Sequence, residues 1–109
     1  MSEYKPASNM NVRREDASEQ CTIFLEGQFD TAAAAESGES LLAILDSPKN
    51  AFVIDMDRLT YLASAGIRIL LLMLKKANSS GKELRLKALQ PAVRDVLEMT
   101  GMLELFKAV

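Results

Sequence analysis

The run Ala51–Asp55, AFVID, is the feature that most constrains this chain: four apolar residues closed by an aspartate. It is too short for a helix core and fits a strand buried on both faces. A strand of that kind belongs inside a sheet, so the rest of the chain has to supply edge partners and helical cover. On one side, Met10–Arg14 reads as a short edge strand. Cys21–Glu26, CTIFLE, reads as a second strand, with the polar stretch Glu15–Gln20 as the hairpin loop between them. Gly27 is expected to end that strand. Asp30 or Thr31 can then cap a helix running to Leu45, with Gly38 as a weak point in its middle.

After the turn Ser47, Pro48, Lys49 and Asn50 comes the central strand. The spacing then predicts a loop over Asp57–Ala63 and a strongly apolar helix from Ser64 to about Ala77, closed by Asn78, Ser79, Ser80 and Gly81. Glu83–Lys87, ELRLK, alternates as a strand with one apolar face. Pro91 suits the first turn of a last helix, Ala92–Thr100, which Gly101 ends, and Phe106–Val109 is expected as a terminal strand. The order β-β-α-β-α-β-α-(β) implies an α/β fold with a mainly parallel sheet of four to five strands packed with about three helices. Residues 1–109 read as a single domain, with residues 1–9 expected to be flexible.

The absent residue types exclude whole classes of chemistry. The chain has no histidine and one cysteine, Cys21, so it can form neither a Ser-His-Asp triad, nor a cysteine or histidine zinc site, nor an internal disulfide. No Walker loop or G-x-G-x-x-G cradle is present for a nucleotide phosphate. Asp30, Asp55 and Asp57 read as a helix cap, a strand terminus and a loop acid rather than as paired catalytic carboxylates. No enzyme activity, cofactor or metal is expected. The net charge is −2, which gives no positive field for nucleic acid. Charge is uneven along the chain, with five acids and no base over residues 26–46, and eight bases against four acids from Arg68 onward. The longest apolar run, Ile69–Leu74, is far short of the roughly 20 residues that cross a bilayer. Direct membrane insertion is therefore not expected, and the lone cysteine fits a reducing, cytoplasmic setting.

The helix after Ser64 carries more apolar residues than one face needs. Ile67, Leu70, Leu71 and Leu74 satisfy the i, i+3, i+4, i+7 spacing of a core stripe. Ile69, Leu72 and Met73 then fall on its flanks or outer surface, where Met73 reads as core and Ile69 and Leu72 are candidates for a partner's surface. Ser64 sits between Ala63 and Ala65, just before Gly66, so a partner's backbone can approach its hydroxyl closely. Its structural role would be N-capping. Its functional role would be to accept a phosphate, which the unpaired amides and positive dipole end of a helix N-terminus tolerate.

Four segments in this order, LEGQFDTA (Leu25–Ala32), AFVIDMDRLTYLASAGIRILL (Ala51–Leu71), GKELRL (Gly81–Leu86) and LQPAVRDVLEMTGMLELF (Leu89–Phe106), resemble the STAS family of sulfate-transporter tails and bacterial anti-sigma factor antagonists. The resemblance spans nearly the whole chain. It implies a STAS-like sheet covered by helices and, at this length, a protein similar to the standalone antagonists. In that family the serine before the small-residue–glycine pair is phosphorylated by an anti-sigma factor that is also an ATP-binding serine kinase, and a serine phosphatase reverses the step. The matching position is Ser64. Asp30 matches the acid beside that serine, so partner contacts are expected at Asp30, Thr31, Ala63, Ala65, Gly66, Arg68, Ile69 and Leu72. The chain departs from many phosphorylated members in having Ala63 where they have aspartate. That leaves open an unphosphorylated STAS scaffold or an accessory subunit of a membrane transport complex. A monomer or weak dimer is expected.

Overall fold

The computed structural model describes residues 9–107, so eight of the nine residues expected to be flexible lie outside the described residues. The elements run β1 (Met10–Asp16), β2 (Gln20–Phe29), α1 (Thr31–Ile44), β3 (Ala51–Leu62), α2 (Ser64–Ser79), β4 (Glu83–Lys87), α3 (Pro91–Met99) and α4 (Met102–Lys107). The sheet has the order β1-β2-β3-β4, with β1 antiparallel to β2 and the other two pairings parallel. This is the mixed, mainly parallel α/β sheet that the strand–helix alternation implies. Cys21, Ile23, Leu25, Phe52, Ile54 and Leu84 point to one face and are fully buried there. Their alternates Thr22, Phe24, Ala51, Val53 and Asp55 are only half-buried, so AFVID is covered fully on one face, not on both as its composition suggests.

β3 continues through the segment expected to be a loop. Its pairing with β2 runs Phe24 to Asp55 and Glu26 to Arg58, then Gly27 to Leu59 and Gln28 to Tyr61, so β3 gains a residue on its partner at each of two register shifts. Each bulge resets the alternation, which is why buried Met56, Leu59 and Leu62 recur every third position instead of every second. Gly27 does not end β2 either. It sits inside the strand with φ 106°, and a Cβ there would lie 2.1 Å from the Asn9 carbonyl oxygen, so only glycine fits.

The last residues depart further from expectation. Phe106 lies in α4, a fourth helix, rather than in a terminal strand, while Ala108 and Val109 lie outside the described residues. Met102, Leu103 and Phe106 have helical spacing, and all three turn inward. Between β4 and α3 the chain turns at Ala88, held at φ 60°, and the Gln90 side chain donates to the Asp57 carbonyl across 2.5 Å, tying α3 to β3.

α1 is anchored at both ends. The Asp30 carboxylate accepts from the Ala33 amide at 2.9 Å as its N-cap. At the far end the Lys76 ammonium donates to the Leu42 carbonyl at 2.9 Å, and the Lys82 ammonium donates to the carbonyls of Leu45, at 2.8 Å, and Ser47, taking up C-terminal acceptors that the helix cannot satisfy itself. Gly38, the expected weak point, is buried where α1 meets α2, and the Ile69 side chain fills the space a Cβ would need. Among the described residues no helix is long and apolar enough to cross a membrane, and no cluster of side chains is suited to a metal ion.

Candidate functional site

The two register shifts extend β3 until Leu62 lies opposite Phe29, so β2 and β3 finish side by side and their helices start together. One hydrogen bond fixes this junction: the Ala63 amide donates to the Phe29 carbonyl at 2.9 Å. The next residue on the β2 side is Asp30, the N-cap of α1, and on the β3 side Ser64, the first residue of α2. The sequence-stretches carrying Asp30, Thr31 and Ser64, separated by a whole helix and strand, thus meet at one end of the sheet. Sites in α/β folds gather at such C-terminal strand ends.

Ser64 does not cap its helix. The cap position belongs to Ala63, which has no side-chain oxygen to offer, and no acidic residue stands in the first turn. The α2 N-terminus is therefore an uncapped set of backbone amides with the positive end of the helix dipole, and the exposed Ser64 hydroxyl stands on it. Among the described residues the hydroxyl has no hydrogen-bond partner. Arg68, four residues on and exposed, falls on the same helix face.

The other expected contact residues divide by burial. Thr31, Arg68 and Leu72 are exposed, with Leu72 showing 41% of its surface, while Asp30, Ala63 and Ala65 are half-exposed. Gly66 is buried: a Cβ there would stand 2.9 Å from the Phe29 carbonyl oxygen, from the Phe29 ring and from Leu62, so its place in the small-residue run is set by packing against the end of β2. Ile69 is half-buried and its tip faces Gly38, which places it at the α1–α2 seam. The core stripe of α2 is rotated from the expected one: Gly66, Leu70, Met73, Leu74 and Ala77 are buried, while Ile67 and Leu71 are half-buried. Tyr61, three residues before Ser64 near the end of β3, is 51% exposed.

Comparison with known proteins fits this architecture. The family model described as "Mlab, STAS domain" matches residues 12–107. The "Putative anti-sigma factor antagonist BtrV" of Bordetella bronchiseptica is 38% identical over 82 residues, covering 75% of this chain and 71% of that protein. An anti-sigma factor antagonist from Mycobacterium paratuberculosis superposes with a TM-score of 0.81 at 24% identity, covering 94% of this chain and 86% of the other. The unphosphorylated form of the antagonist SpoIIAA superposes at 0.74 with 18% identity, over 84% of this chain and 82% of its own. The two structural likenesses carry the fold; the match over residues 12–107 carries the membership, and the chain belongs to the STAS domain family.

Proposed function

We propose that this chain is an anti-sigma factor antagonist that works as a phosphorylation-controlled interaction switch in the cytoplasm. Unmodified, it binds an anti-sigma factor that is also an ATP-binding serine kinase; phosphate on Ser64 releases that partner, and a serine phosphatase restores binding. The observation that carries this reading is the exposed Ser64 hydroxyl on the uncapped N-terminus of α2. A phosphate there adds roughly −1.5 to −2 charge and three acceptors at a helix end that no side chain caps among the described residues. The fold accommodates that charge while a close-fitting partner does not.

The contact surface we assign runs from Asp30 and Thr31 across Ala63, Ser64 and Ala65 to Arg68 and Leu72, with Tyr61 at its margin. Ile69 contributes from the helix seam, and Gly66 by keeping α2 close to β2. The named relative BtrV and the name of SpoIIAA support the antagonist role. A direct test is binding of the cognate ATP-binding anti-sigma factor to Ser64→Asp and Ser64→Ala proteins. The aspartate should weaken binding while melting temperature stays within a few degrees, and the alanine should bind constitutively. Equal binding by all three proteins would refute the switch.

A second reading has its own observation. Ala63 stands where many phosphorylated members have aspartate, which favours an unphosphorylated scaffold or an accessory subunit of a membrane transport complex. Under that reading Ser64→Ala leaves the protein's work unchanged in cells.

A further inference from the structure

Both edges of the sheet end in outward peptide groups, and one of them borders a cavity. In the parallel β3–β4 ladder the Glu83 amide donates to the Asn50 carbonyl at 2.8 Å, which turns the peptide groups of residues 83, 85 and 87 towards β3. The N–H and C=O groups of Leu84 and Leu86 therefore point away from β3, at an edge where no further strand lies among the described residues. Beside them is an open cavity of about 490 Å³. Its apolar walls are Leu86, Leu89, Leu103 and Phe106, and its charged lining residues, Arg85 and Arg94, are both basic. Among the described residues each arginine pairs with an acid of its own element, Glu83 at 2.7 Å and Glu98 at 3.9 Å, pairs weak enough to be exchanged for a ligand's carboxylate.

The β1 edge has outward peptide groups too. There the hairpin bonds Ala17 N–H to Gln20 and Gln28 N–H to Asn9 turn the odd residues inward and leave Met10, Val12, Arg14 and Asp16 facing out. That edge carries the Arg14–Asp16 ion pair as β4 carries Arg85–Glu83, so what sets β4 apart is the apolar-walled, basic-rimmed cavity beside it.

From outward peptide groups beside an apolar-walled cavity with basic lining we infer that β4 is a docking edge for an extended segment of a partner protein in which apolar and acidic residues alternate, added as a fifth strand. Outward peptide groups at Leu84 and Leu86 call for peptide groups opposite them, which a fatty or aromatic carboxylate lacks. Alternation follows from the pleat. Leu86 lies on the groove side, so the segment's residues on that side are apolar; Arg85 and Lys87 alternate with it along β4, with Arg85 at the rim of the cavity, so the residues between are acidic. The site is separate from the Ser64 surface and does not rest on the switch.

The test uses the ¹⁵N-labelled full chain and a capped peptide, matched in length to β4, that alternates valine with glutamate. We expect saturable shifts at Leu84, Leu86, Ala88 and Leu103 and slowed amide exchange at Leu84 and Leu86. Reversing both rim charges, Arg85→Glu with Arg94→Glu, should weaken this peptide about tenfold and give affinity for a valine–lysine peptide, with melting temperature checked to confirm folding. No saturation at millimolar peptide, shifts confined to other surfaces, or indifference to charge reversal each overturns the proposal. Saturation of the cavity by octanoate without binding of the peptide overturns it in favour of a small-anion pocket.

Discussion

Replacing Gly66 by alanine adds one methyl group at the point where α2 meets the end of β2, and the structure sets what that methyl meets. It would stand 2.9 Å from the Phe29 carbonyl oxygen, the Phe29 ring and a Leu62 methyl at once. The carbonyl cannot swing away, because it accepts the Ala63 amide that fixes the junction. Overpacking of this kind costs about 1–3 kcal/mol. Alanine returns part of its helix-propensity advantage of roughly 1 kcal/mol over glycine, less here because residue 66 is in the first turn. The net loss is about 1–2 kcal/mol, which for a domain of this size lowers the melting temperature on the order of 5–15 °C. Gly38→Ala is the matched control. Its methyl would meet a single flexible atom, Ile69 Cδ1 at 2.8 Å, in the middle of a helix where the propensity gain is larger, so its stability should stay within about 1 kcal/mol of the parent. Urea denaturation of the three proteins with linear extrapolation checks both values. A Gly66→Ala protein as stable as the parent would refute the close approach that positions Ser64.

Three further outcomes follow from single residues. Ala88→Gly should stabilise the chain by about 1 kcal/mol, since a left-handed backbone costs an L-residue roughly that much, and thermal unfolding measures it. Leu72→Glu should abolish partner binding with unfolding free energy within about 0.5 kcal/mol of the parent, because the side chain is exposed on the α2 surface; an insoluble or unfolded variant would return Leu72 to the core. Burial pushes the Cys21 thiol above its ordinary range, partly offset by the positive charge of Arg14. The native protein should therefore resist thiol reagents at mildly alkaline pH and react once unfolded. The stability contributed by the neutral thiol is fully present below the ordinary thiol range and is lost as pH rises towards the displaced value.

The parts of this fold legible in sequence are those where one local rule acts alone. ELRLK alternates without interruption and is a strand with the expected bounds, and Pro91 opens α3 as its missing amide allows. The length of β3 was not legible, because two bulges turn a two-residue period into a three-residue one across Met56, Leu59 and Leu62, and that spacing imitates a loop or a helix. α4 was legible in principle, since Met102, Leu103 and Phe106 keep helical spacing, but six residues after a glycine give too short a window for periodicity to outweigh β-propensity. At the site, the small residues around Ser64 marked the position. Sequence did not reveal that Ala63, not Ser64, is the cap, nor that Gly66 answers to Phe29, for both depend on where β2 ends in space.

The central claim is that Ser64 carries a regulatory phosphate, and the most direct measurement is intact mass with peptide mapping on the protein isolated from its own cells under several growth conditions, with phosphatase inhibitors present. The account predicts one added phosphate, located on Ser64, in a fraction that varies with conditions. An abundant, working protein that never carries it, or carries it elsewhere, would contradict the account.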